Sequence, residues 1–134
     1  GRVRDHWHTM TRTGKAPKLA RHVEEPTLAL HPDDAAGAGL TEGGFARIES
    51  RHGAATLRVA LDAGLPRGLV FAPFHWNDAT SRLARVDALA QSLVDPFSGQ
   101  PELKATPVKV TPLLMASEGF LVSRRRVELP DWLQ

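Results

Sequence analysis

The 134 residues contain no cysteine and no tyrosine. Without cysteine this chain by itself holds no disulfide, no iron–sulfur cluster, no thiolate-ligated zinc and no thiol nucleophile. Phe and Trp together make up only 6% of the chain. The stretches that alternate like strands are poor in them, which argues against a stacking platform for single-stranded nucleic acid, where aromatics alternate with Lys and Arg. No apolar run approaches the roughly 20 residues that a membrane-spanning helix needs. Gly-x-Ser-x-Gly is absent, as is the phosphate-cradling Gly-x-x-x-x-Gly-Lys, so neither a nucleophile elbow nor a P-loop is written here. GAGLTEGG is rich in glycine, but it follows a short helical pattern instead of opening one, and its glycines read as turn residues.

What is present is ordinary in bulk and uneven in distribution. The apolar fraction of 42% and the charged fraction of 24% suit one globular domain with a single core. The net charge of +2 conceals a gradient: residues 1–23 carry six Lys or Arg and one acid, the other 111 residues eleven and fourteen. A positive field concentrated at one end favours an anionic partner, whether phosphate, nucleic acid or an acidic protein face. These first residues lead into no apolar stretch, so they are not expected to act as a secretory signal.

Residues 1–23, opening GRVRDHWHTMTRTGK, show neither helical nor strand periodicity and read as an irregular basic arm. Thr27–Leu30 reads as a short strand. Pro32 suits a first helical position, Asp33 and Asp34 favour a helix N-terminus, and Gly37 and Gly39 end that helix after one or two turns. Residues 45–50 alternate, with Ala46 and Ile48 on one face. The alternation returns through Ala55, Leu57, Val59 and Leu61, so the two runs predict a hairpin across His52-Gly53. Leu69–Ala72 and the pair Val108 and Val110 predict two more strands, and Phe120–Val122 a further one. Residues 73–107 form a long, weakly periodic stretch with a short helix expected over Ser81–Leu89. Its Trp, Phe and Leu content argues for an ordered, functional loop. Short strands, Gly/Pro turns and one or two short helices indicate a mainly β fold, a small closed barrel or, alternatively, an open sandwich.

Six histidines invite a metal site, but the spacing is not that of ligands: His6 and His8 stand two apart and no His-x-x-x-His pair lies on a predicted helix. No catalytic or metal-ligating residue is therefore assigned. The opening segment is the informative one. Arg guanidinium groups bind phosphate bidentately, Thr hydroxyls and His rings add short-range donors, and Trp7 could stack on a heterocycle. That mixture suits a phosphate-bearing heterocyclic ligand. A solvated basic arm is the alternative, against which Trp7 counts.

These residues resemble the start of the C-terminal cofactor-binding domain of molybdopterin-guanine-dinucleotide oxidoreductases, the DMSO reductase superfamily, and within it the bacterial assimilatory nitrate reductase branch. HPDDAAGAGLTEGGFARIESRHG is similar to the superfamily's barrel core. FAPFHWND and VDALAQSLVDPFSGQPELKATPVKV resemble its late cofactor-facing loop, and FLVSRRR the tail after the barrel. The resemblance covers nearly the whole chain, and the opening segment, FHWND and VDPFSGQPELK are its specific parts. Its start falls inside the family's motif, so Gly1 reads as a boundary within a longer polypeptide.

The resemblance implies a six-stranded double-psi β-barrel over residues 24–112, an irregular cofactor-binding arm over 1–23, a cofactor-facing loop over 73–107, and a C-terminal extension over 113–134. It implies bis(molybdopterin guanine dinucleotide) molybdenum as cofactor of the intact parent, with none expected on the isolated chain. It implies the parent's other domains as partners, with no nucleic acid and no membrane, and a cytoplasmic location. The family's pterin- and phosphate-contacting stretch falls on Gly1, Arg2, Val3, Arg4, Asp5, His6, Trp7, His8 and Thr9, with Thr11 and Arg12 just beyond. Its late contacts fall on Asp87 and Lys104. Asp87 stands where Asn is usual, Leu103 where an aromatic is usual, and His6 where the assimilatory branch commonly has Gln. His75 and Trp76 fall where the family's loop approaches the substrate funnel, or else serve loop packing. The implied reaction, nitrate to nitrite, belongs to domains with the cysteines this chain lacks, and the chain alone is expected to be inactive. The competing expectation is a free-standing basic β-barrel that binds nucleic acid or a protein.

Overall fold

The computed structural model describes residues 1–4, 6, 10–103, 105–117, 119, 122–125 and 127–128. Its centre is a five-stranded sheet in the order β4-β1-β3-β2-β5, built from β1 (Thr27–Leu30), β2 (Phe45–Glu49), β3 (Ala54–Leu61), β4 (Val70–Phe71) and β5 (Lys109–Leu113). β2 and β3 form the hairpin that their alternation predicts, with Ala46 opposite Leu57 and Ile48 opposite Ala55. β1 lies parallel to β3, with Leu28 beside Val59, while β1–β4 and β2–β5 are antiparallel. A period of two places Leu28, Leu30, Ala46, Ile48, Ala55, Leu57 and Val59 on one face, and each is 3% exposed or less. Leu61 continues that register beyond the core and is 38% exposed; its N–H is taken by the Glu42 carboxylate at 2.5 Å.

Two helices stand among the described residues. In α2 (Pro32–Gly37), His31 caps the N-terminus by accepting the Asp33 N–H on Nδ1 at 3.1 Å. Gly39, at φ +69°, turns the chain so that the Leu40 N–H reaches the Ala35 carbonyl and Leu40 joins the core. The arm is less irregular than its sequence suggests: a 3₁₀ turn at Thr13–Lys15 leads into α1 (Pro17–Ala20), with Pro17 at the start.

The helix expected over Ser81–Leu89 shrinks to a 3₁₀ turn at Val86–Leu89. Upstream, backbone groups are taken by other partners. Ala79 N–H donates to the Asn77 side chain, Ala84 N–H to the Ser81 hydroxyl, and the Leu83 carbonyl accepts from Thr56 N–H of β3. Of these, the bond to β3 takes a carbonyl that a helical ladder would offer four residues on. Five strands are described, one fewer than the resemblance implies; Phe120 and Leu121 of the expected strand at 120–122 lie outside the described residues.

Candidate functional site

Three distant stretches converge beside the sheet. Gly1 donates its amine to the Ala72 carbonyl at 2.6 Å, and the Gly1 carbonyl accepts the Phe74 N–H at 3.0 Å. One residue bonding to the two neighbours of Pro73 is the pattern of a parallel ladder step. The start of the arm is thereby laid alongside the segment that follows β4. The fit is close: a Cβ on Gly1 would run into the Phe71 ring.

Against this joint opens a hollow of about 90 Å³. Its walls include Gly1 and Phe74, Asp87 from the 3₁₀ turn, and Leu103 and Thr106 from the late loop, over a floor of Ile48, Val70 and Val108. Partial burial in these walls pushes the Asp87 carboxyl above its usual range, against opposing pulls from Arg85 and the Gly1 amine. The turn bearing Asp87 is held from below. Ser50 donates its hydroxyl to the Leu89 carbonyl at 2.8 Å and accepts the His52 and Gly53 N–H groups, while Gly53 packs under the Ala88 carbonyl.

Beside the hollow lies a cluster of rings. His6 and His75 are buried, 4% and 1% exposed, with ring centroids 5.5 Å apart, and the Trp76 ring meets His6 edge-on at 4.9 Å. Nε2 of His75 accepts the Val3 N–H at 3.1 Å, and Nε2 of His6 donates to the Val23 carbonyl at 3.1 Å. In both rings Nδ1 is buried with no hydrogen-bond partner among the described residues. Outside this cluster Arg2, Arg4, Thr11 and Arg12 are exposed, with the Arg2 guanidinium 5.8 Å from the Phe74 ring centre.

The structure thus brings Gly1 and Asp87 into one hollow and places Arg2, Val3 and His6 next to it. His75 and Trp76 lie beneath the arm, covered by it, and not on an open face. Thr11 and Arg12 stand further along the arm. Asp5, Trp7, His8, Thr9 and Lys104 lie outside the described residues. Sequence reading missed Ser50 and Gly53, whose roles rest on contacts with residues more than 30 positions away, for which a single sequence carries no signal. Among the described residues no group of three His, Cys, Asp or Glu could hold a metal ion, and no helix is long and apolar enough to cross a membrane.

An N-terminal arm, a turn carboxylate and a late loop thus converge beside one small sheet. Residues 1–107 match the molydopterin dinucleotide binding domain model, and the chain belongs to that family. Among its relatives is a nitrate reductase from Klebsiella oxytoca, 45% identical over 130 residues that make up 97% of this chain and 15% of that protein. A nitrate reductase from Shewanella frigidimarina is 34% identical over 90% of the chain and 15% of its own length. The alpha subunit of an F420-dependent formate dehydrogenase from Methanocaldococcus jannaschii is 31% identical over 82% of the chain and 16% of its own length. The chain therefore spans about 15% of the length of the curated relatives it matches. The solved structure of acetylene hydratase from Pelobacter acetylenicus shares the fold, with a TM-score of 0.57 over 69% of this chain and 15% of that one, at 22% identity.

Proposed function

We propose that this chain is the cofactor-covering domain of a molybdenum oxidoreductase that reduces nitrate to nitrite in the cytoplasm during nitrate assimilation, and that its ligand is the guanine form of the dinucleotide. The observation that carries the reading is the hollow where Gly1, the first residue of the basic arm, meets Asp87 and Leu103. Its chemistry fits such a ligand. Exposed Arg2 and Arg12 supply cationic donors for phosphate, and the partly shielded Asp87 carboxylate can accept two N–H donors from a guanine edge. The sheet is then the greater part of a six-stranded double-psi barrel, a reading supported by its parallel β1–β3 pair set among antiparallel neighbours.

In this reading Gly1, Arg2, Val3, Arg4, Asp5, His6, Trp7, His8, Thr9, Thr11 and Arg12 hold the pterin and phosphate end, and Asp87 and Lys104 the guanine end. Gly1 lets the arm approach closely, Arg2 and Arg12 neutralise phosphate charge, and His75 and Trp76 support the arm on its side toward the substrate. When bound, the cofactor supplies the redox chemistry of oxygen-atom transfer; this chain's residues bind it, orient it and exclude water from one side. Without the parent's other domains the chain reduces no nitrate.

The test is titration of the 134-residue chain with guanosine diphosphate, followed by amide chemical shifts. Shifts should gather at residues 1–12, Asp87 and the late loop. Arg2→Ala and Arg12→Ala should each weaken binding by about 1–3 kcal/mol, as loss of a charge-assisted bond does. Affinity should fall as salt rises. Equal affinity for adenosine diphosphate, or shifts scattered over the sheet, would remove the guanine assignment.

A further inference from the structure

The partners of the two buried imidazoles require opposite states of Nε2, protonated in His6 and bare in His75. A backbone carbonyl only accepts, so Nε2 of His6 carries an N–H and donates it to Val23. A backbone N–H only donates, so Nε2 of His75 carries none and accepts from Val3, and its proton sits on Nδ1. The His75 bond joins the arm to the segment after β4, next to the two bonds of Gly1.

We propose that His75 is a positioning residue that latches the start of the arm through its neutral imidazole, and that protonation of this ring releases residues 1–4. A protonated imidazole carries N–H on both nitrogens, so Nε2–H would face the Val3 N–H, donor against donor, and the bond could not form. The surroundings hold the ring neutral at ordinary pH. Burial lowers its proton affinity first, followed by His6, then Arg2, then the Gly1 amine. His6, Arg2 and the Gly1 amine all lie in the arm, no acidic group acts on the ring among the described residues, and an extension preceding Gly1 would remove only the last and smallest of these effects. Because the affinity is lower in the latched state than the ordinary value of 6.5, the latch holds fully above that pH. It weakens as pH falls below it, by about tenfold per unit until the latched ring itself is protonated. The inference stands on the latch geometry and is independent of whether the arm binds a dinucleotide.

The experiment is a pH titration of the ¹⁵N-labelled 134-residue chain, reading the His75 ring nitrogens and hydrogen exchange at the Val3 amide. At neutral pH, Nε2 should be the unprotonated nitrogen and the Val3 amide protected. On acidification, protection, corrected for intrinsic exchange, should fall about tenfold per pH unit. His75→Gln offers a carbonyl acceptor that does not titrate, so Val3 should remain protected across the same range. His75→Phe should leave Val3 unprotected at every pH. A protonated Nε2 at neutral pH, protection in the wild-type chain that ignores acidification, or a His75→Gln chain that loses protection as the wild type does would each overturn the proposal. Should His75→Phe not fold, the tautomer measurement and the Gln variant decide.

Discussion

A methyl group added at Gly53 would stand 2.5 Å from the Ala88 carbonyl oxygen, a backbone atom that cannot swing aside. Gly53→Ala should therefore cost about 1–3 kcal/mol, the usual penalty for overpacking, measured as a drop in the urea midpoint at constant m-value. It should also push the 86–89 turn outward and shift the amide resonance of Asp87. Asp87 itself carries a carboxyl whose proton is favoured by folding, since burial raises its affinity above the ordinary 3.8. The native state then binds more protons than the unfolded state over the interval above 3.8, so this residue's contribution to stability declines as pH rises through its native titration. Asp87→Asn should accordingly be more stable than the native chain at neutral pH. The difference should vanish as pH falls through the carboxyl range, which paired thermal melts at several pH values would reveal.

Elements were legible where local pattern decided them. The alternations over β2 and β3 and the Pro32–Asp34 start of α2 are written in consecutive residues, and those elements stand where the sequence put them. The Ser81–Leu89 helix does not form in full, because β3 takes the Leu83 carbonyl that a helical ladder would use. Two features of the β2–β3 turn were invisible, because Ser50 and Gly53 act on Leu89 and Ala88. Ser50→Ala removes a hydroxyl that both donates to the Leu89 carbonyl and accepts two backbone N–H groups. It should cost about 1–3 kcal/mol in chemical denaturation. The late loop, where Val94 pairs with Pro101 in a single antiparallel bridge, makes a contrast. Asp95 accepts from the Ser98 N–H, the Ser98 hydroxyl and the Phe97 N–H, which holds its carboxyl below the usual range, while Phe97 is 97% exposed. Phe97→Ser should leave the melting curve of this chain within about 0.5 kcal/mol, as surface substitutions do.

At the scale of the molecule, the arm is both the most positive part of the chain and a cover over its most unusual buried groups. Deleting residues 1–6 takes away the ring that meets Trp76 and the bond that Val3 makes to His75. Re-exposing one large side chain costs about 1.5–3 kcal/mol, so the truncated chain should melt several degrees lower in calorimetry. The basic arm and its place in a cofactor-binding domain were legible in composition and motif. Its seat beside residues 72–76 was not, because that contact, like the parallel pairing of β1 with β3, joins segments that carry no mutual signature in one sequence.

That long reach also sets an order in time. Gly1 bonds to Ala72 and Phe74, so the first residues of this stretch to leave a ribosome have no seat until more than 70 others have followed. At about 5–20 residues per second the wait is roughly 4–14 s, far longer than closing a loop once both ends are free. During that interval the hairpin of β2 and β3 can form, since all its partners lie within 17 residues of one another. The arm is thus made first and seated late. Stalling synthesis shortly before residue 72 emerges should leave a nascent chain whose residues 1–6 are open to protease, and release of the stall should close them.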